Sequence, residues 1–167
     1  MNRTVTDSTR KTPTRDHRRR LPKLALAVQY ATSEADLPTR AQVRLWVRAA
    51  QEVEAIVTVR FVDVSEGRAI NAEFRGKDNA TNVLTFVYDE RSPRAGDIVL
   101  CAPIVRLEAA TQNKPLAAHY THLVVHGMLH LQGYNHERDA DAAPMEACET
   151  TILARLGLPD PYRVCTS

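Results

Sequence analysis

HLVVHGMLHLQGYNH, residues 122–136, decides how this chain is read. Pro115 can open a helix at its first turn and Gly133 can end one, so the stretch predicts a helix over 115–131, the most apolar in the chain. His126 and His130 stand four residues apart. Four residues turn an α-helix through about 400° and advance it by about 6 Å, so both imidazoles leave one face, one turn apart. Gly133 lets the chain reverse, and His136 can return to the same point. Three neutral imidazoles with a fourth position open make a catalytic zinc site, whereas structural sites are usually closed by four protein ligands. Such a metal lowers the pKa of its bound water to about 7 and polarises a carbonyl or phosphoryl oxygen. A lone histidine on an apolar helix face is usually a packing residue; a His-x3-His-x5-His array with a glycine between its last two members is far more specific. His122 lies one turn before His126 on the same face, as a ligand or as a donor to one; the open site and the chain reversal favour His136. His119 is less informative.

The elements on either side complete the pattern. LALAVQY (24–30) reads as a strand, and Thr39 precedes a helix over about 40–53 with Val43, Val47 and Ala50 at helical spacing. IVTVRFVD (56–63) is a β-branched strand. Ser65 is a plausible N-cap for SEGRAINAEFR (65–75), with Ile70 and Phe74 on its buried face and Gly76 at its end. NVLTFVY (82–88) and DIVLC (97–101) are two more strands, adjacent across a short polar loop at 89–96. Pro103 opens a further helix. Pro144 opens the last one, 144–156, whose apolar stripe is Met145, Cys148, Ile152 and Leu156, and Gly157 and Pro159 stop it. The order implies one α+β domain: a mixed sheet of about four strands packed against several helices, with the zinc site at the end of a central helix.

At 167 residues, 44% apolar and 25% charged, the chain suits one globular domain with a real core. No apolar run reaches the roughly 18 residues of a membrane span, and the N-terminus lacks the apolar segment of a secretory signal. Cys101, Cys148 and Cys165 form no CxxC pair, which suits reduced thiols in a cytoplasm. Residues 1–23 carry eight lysines and arginines against Asp7 and Asp16, leaving fourteen against eighteen carboxylates in the rest. The arm, which includes His17, reads as disordered, either an electrostatic arm for RNA or a dispensable tail. The domain at 24–167 is slightly acidic, so any polyanion site on it is local.

A second constellation is FRGKDNATNVLTF, residues 74–86. Arg75 stands at a helix end with Lys77 close by. A guanidinium offers a planar fork to two phosphate oxygens and keeps its charge, so near a metal it can stabilise a phosphorane-like transition state. Taken alone, an Arg-Gly-Lys triplet is an ordinary solvated turn. Thr81 and Asn82 suit either a turn cap or a substrate contact. The histidine segment also matches the zinc-peptidase signature HExxHxxGxxH in all but one place: Gly127 stands where the general-base glutamate belongs, which disfavours peptide hydrolysis.

Together these segments resemble the YbeY family of bacterial endoribonucleases, or rRNA maturation factors, over about residues 24–162. The resemblance rests on HGMLHLQGYNH, on FRGKDNATNVLTF against YRGKDxxTNVLSF, on GDIVL at 96–100 and on LGLPDPY at 156–162, all in matching order and spacing. It implies one divalent metal, generally zinc, on His126, His130 and His136, and Arg75 as the other residue needed for activity. It further implies cleavage of single-stranded RNA, 16S rRNA 3′-end maturation, and ribosome quality control with the small ribosomal subunit as partner. In that picture Arg75 and Lys77 hold the RNA, and His126 and Arg75 are catalytic. Water and the ribose 2′-OH both stand as attacking groups, and His122 and Glu137 both stand near enough in sequence to serve as a base. A non-catalytic assembly factor with a structural metal, or a metal hydrolase of another substrate class, are the alternatives. The chain departs from the family's usual pattern at Asn135, where aspartate is usual; at Thr85, where serine is; in a shorter 89–96 loop; at Ala142-Ala143-Pro144, in place of acidic residues; and in its basic arm. Aspartate at 135 could orient a ligand histidine, so asparagine implies somewhat weaker metal binding.

Overall fold

The computed structural model describes residues 20–163. The expectations for the basic arm up to residue 19, for His17 and for Cys165 lie outside the described residues. In chain order the elements are β1 (Leu24–Ala31), α1 (Arg40–Ala50), β2 (Ala55–Val62), α2 (Val64–Arg75), β3 (Val83–Asp89), β4 (Arg94–Cys101), α3 (Ala102–Thr111), α4 (Leu116–Leu131) and α5 (Asp139–Arg155). The four strands form one mixed sheet in the order β1-β2-β4-β3. β2 runs parallel to both β1 and β4, in registers that pair Val28 with Val59 and Val59 with Ile98. β3 closes the sheet as an antiparallel edge, with Thr85 opposite Ile98.

Alternation along the strands sends residues to two faces. Val57, Val59 and Phe61 of β2 and Ile98 and Leu100 of β4 join Val43 and Val47 of α1, Val124 and Met128 of α4, and Ile152 of α5 in the main core. A smaller cluster of Val62, Leu84, Val99 and Cys101 packs with Ile70 of α2. Two glycines set how closely the layers meet. A Cβ at Gly127 would fall 2.9 Å from Ile98 Cγ2, so α4 rests against the sheet where its side chain is missing. A Cβ at Gly96 would fall 2.1 Å from the Phe86 carbonyl oxygen and 2.2 Å from a Leu131 methyl. Thr39 and Gln42 form a reciprocal capping box at the start of α1. At the other end of that helix, the Gln132 amide donates to the Ala50 carbonyl, 2.6 Å away, which ties the end of α4 to the end of α1.

The architecture matches the sequence expectation, while several boundaries move. α1 stops at Ala50 instead of 53, where Gln132 takes its carbonyl. α2 starts one residue before Ser65, with Asp63 at the cap position. The carboxylate of Asp63 accepts a hydrogen bond from the Thr32 hydroxyl and makes no side-chain cap. Phe74 is 63% exposed, so it is not on the buried face of α2; its ring meets Phe86 edge-on at 5.2 Å. β4 begins at Arg94 because residues 94–96 pair with Ala55, Ile56 and Val57, and the loop shrinks to residues 90–93. Pro115 caps α4 from outside. Pro144 does not open α5 but lies within it, five residues after Asp139.

Gly96→Ala must displace both the backbone at Phe86 and the Leu131 side chain, and should cost about 1–3 kcal/mol or more, as overpacked cores do. Urea unfolding of the variant beside wild type measures it.

Candidate metal centre

α4 carries His126 and His130 in its last two turns. Their Nε2 atoms lie 3.1 Å apart. Gly133, at φ 95°, takes the left-handed turn that a side chain would resist, and the chain folds back. His136 then stands with ring centroids 5.3 Å from His126 and 4.9 Å from His130. One nitrogen from each of the three rings lies within 4.8 Å of the others.

The partners of the other ring nitrogens set the tautomers. His130 Nδ1 donates to the Tyr134 carbonyl at 3.1 Å, and His126 Nδ1 donates to the Glu149 carboxylate. Both rings therefore carry their proton on Nδ1 and turn an Nε2 lone pair inward. Two facing lone pairs repel unless a cation lies between them. Tetrahedral nitrogen ligands about 2.0–2.1 Å from one ion sit about 3.3 Å from each other, close to the spacing here. The donor set fits a divalent metal and leaves further coordination positions open to the cleft. Burial, followed by the neighbouring imidazoles of His126 and His136, holds His130 down to about 4, which keeps it neutral and able to bind metal.

Glu149 is the functional residue that sequence reasoning missed. It is fully buried, and its carboxylate meets His126, the Tyr162 hydroxyl, and His122 Nε2 at 3.5 Å. Burial alone would raise its pKa; His122, His126 and Tyr162 outweigh burial and bring it to about 2. The signal was present in the sequence: Glu149 lies four residues after Met145 and three before Ile152, a charge on the apolar side of a helix. His122 belongs to this carboxylate network, edge-on to His126 at 6.2 Å. His119 is also structural: its Nε2 donates to Glu108 at 2.8 Å, and Glu108 also accepts from Asn82 at 3.0 Å.

The imidazoles open into a cleft of about 490 Å³ whose walls include Arg75, Asn82, Thr85 and Glu137. Arg75 is the last residue of α2, and its guanidinium donates to the Thr85 carbonyl at 3.3 Å. Its loop is fixed by its neighbours. Asp78 takes two hydrogen bonds from Arg68, at 2.7 and 2.8 Å, and the buried Asn71 donates to the Asn79 carbonyl at 2.7 Å. Asn82 accepts from the Val83 amide at 2.6 Å, so it holds the start of β3 as well as lining the cleft. Lys77 is exposed just beyond the end of α2 and is not among the cleft's lining residues. Asn135 accepts from the backbone amides of His136, at 2.7 Å, and Glu137, at 3.0 Å; it shapes the turn that delivers His136. Gly127 faces Ile98, so a glutamate there would collide with the sheet.

Sheet, paired helix imidazoles and open cleft together define the class of the protein: a single-domain α+β fold built around a candidate divalent-metal centre of the hydrolase type. A family model for endoribonuclease YbeY matches residues 27–157. Endoribonuclease YbeY of Nitrosomonas europaea is 56% identical over 140 residues, covering 84% of this chain and 85% of that protein. The Nitrosomonas eutropha enzyme of the same name is 54% identical over 137 residues, covering 82% of this chain and 97% of that one. A solution structure from Thermotoga maritima shares the fold, with a TM-score of 0.52 at 23% identity, across 83% of this chain and 99% of that one. This chain belongs to the endoribonuclease YbeY family.

Glu149→Gln should lower affinity for a divalent metal, with zinc as the probe, about 10- to 100-fold, as loss of a carboxylate that supports a ligand histidine commonly does. Competition with a chromophoric chelator measures it. The depressed His130 gives a second expectation. In metal-free protein, between pH 6.5 and about 4, the unfolded chain takes up a proton that folded His130 refuses. Stability therefore falls as pH drops through that window. Urea titrations in the presence of chelator should show the fall, and His130→Asn should reduce it.

Proposed function

We propose that this protein is a zinc-dependent endoribonuclease that cuts single-stranded RNA, acting on the 16S rRNA precursor of the small ribosomal subunit in 3′-end maturation and quality control. One observation carries the reading. The inward-facing nitrogens of His126, His130 and His136 converge at the wall of an open cleft that also holds Arg75. Family membership supports RNA as the substrate class, and the bacterial relatives support the cytoplasm as the place of action. No helix among the described residues is long and apolar enough to cross a membrane.

His126, His130 and His136 would hold the ion, which when bound supplies Lewis acidity toward a phosphoryl oxygen and toward water. The chain's own residues do the rest. Arg75 binds the scissile phosphodiester through its fixed charge, exchanging the neutral Thr85 carbonyl for an anionic oxygen. Lys77, beyond the cleft wall, adds positive charge along the path of the strand. Glu149 and the Tyr134 carbonyl keep the two helix imidazoles in one tautomer and one orientation. Of the two neighbours weighed as a base, Glu137 lines the cleft while His122 turns to Glu149. Peptide hydrolysis loses further ground, because position 127 has no room for the glutamate it needs.

Arg75→Glu should abolish RNA cleavage while bound zinc stays equimolar, because the arginine meets phosphate and does not ligate. Metal analysis beside a gel assay on a short single-stranded RNA checks both halves. His126→Ala should lose metal and cleavage together, and a variant that cuts as fast as wild type would disprove the metal mechanism. Chelation should stop cleavage while circular dichroism shows the fold retained; unfolding on chelation would instead make the metal structural.

A further inference from the structure

The closing segment LGLPDPY has no role in the reading above, yet it ends beside the metal centre. His126 and His136 also wall a second recess, of about 270 Å³, completed by Ala142, Met145, Glu146 and Tyr162. His126 and His136 thus front two cavities. An endonuclease cuts within a chain, so nucleotides extend on both sides of the scissile phosphate. The first cavity contains Arg75 and suits that phosphate. Among the described residues the second has no lysine or arginine in its wall, and its Glu146 repels phosphate. What its wall offers RNA is an aromatic face, that of Tyr162.

Tyr162 is 42% exposed, yet its ring is fixed at two points. Its hydroxyl donates to the buried Glu149, and its ring meets His122 edge-on at 5.9 Å and 86°. A rigid aromatic with an open surface, in a recess whose wall also has Ala142 and Met145, is a stacking platform for a base; its ordering cost is already met by the fold. Glu146 can accept from a base's amino group, as carboxylates do. We propose that this recess is a nucleobase subsite, in which Tyr162 stacks against an unpaired base next to the scissile phosphate, on the side away from Arg75.

The inference rests on the endoribonuclease reading, and its test keeps the two apart. The cut in a short single-stranded RNA is mapped first with zinc-loaded wild type. Tyr162→Leu should then lower kcat/KM about tenfold or more, mainly through KM, the range expected for losing one stacked base. Tyr162→Phe keeps the ring and loses the bond to Glu149; it should recover most of that loss. Substrates with an abasic site on one or the other side of the cut give the decisive comparison. Removing the base on one side should weaken wild type by a similar factor and leave Tyr162→Leu no worse. Metal content and melting temperature of each variant identify any loss that comes through folding or zinc. If neither abasic substrate shows this coupling, or if Phe loses as much as Leu, the subsite is wrong. If wild type with full zinc cuts no RNA, the functional reading falls first.

Discussion

A carboxylate sealed from water is the fixed point on which the centre rests. Glu149 has no exposed surface, and such a charge is tolerable only when donors surround it. Those donors come from two parts of the chain, His126 on α4 and Tyr162 after α5, with His122 Nε2 3.5 Å away beside them. The same contacts therefore dock α5 on α4 and orient the first imidazole. Packing sets the rest of the arrangement. Gly127 lets α4 settle on Ile98, and that depth determines where the neighbouring His126 emerges relative to the cleft.

The sheet explains how residues so far apart in sequence share one cavity. Three parallel strands form its body, and β3 returns antiparallel at the edge. That reversal brings the end of α2, with Arg75, beside a strand whose Thr85 also faces the histidines' cleft. One wall comes from the helix and its turn, the other from the edge strand and the loop before it. The guanidinium proposed to meet phosphate and the imidazoles that could hold a metal thus sit on separate rigid supports, each braced by its own contacts: Asp78 with Arg68 on one side, Glu149 with His126 on the other.

Much of this was legible because local rules and tertiary structure agree. The one-turn spacing of His126 and His130, the reversal at Gly133 and the β-branched run of β2 are short-range signals. What escaped depended on partners distant in sequence. Residues 94–96 look like loop and become strand because β2 supplies hydrogen-bonding partners. The first turn of α5 has no apolar rhythm in DADAA, so Pro144 drew the boundary toward itself. Phe74 kept helical spacing with Ile70, but the smaller cluster is filled before it reaches the ring. Glu149 is the informative omission. It broke an apolar pattern, and such a break deep in a core marks a group whose partners are worth seeking. Asn135 teaches the reverse: its chemistry invited a link to a ligand ring, and it serves backbone amides instead.

The contact between Arg75 and the Thr85 carbonyl has a consequence for behaviour in a crowded solution. The rim of a sheet displays unused backbone groups that invite strand addition by another chain. On β3 a guanidinium covers one of these acceptors and sets a positive charge beside it. One acceptor of that rim is therefore closed to a further strand by a charged side chain, one of the ways in which native sheets blunt an open edge.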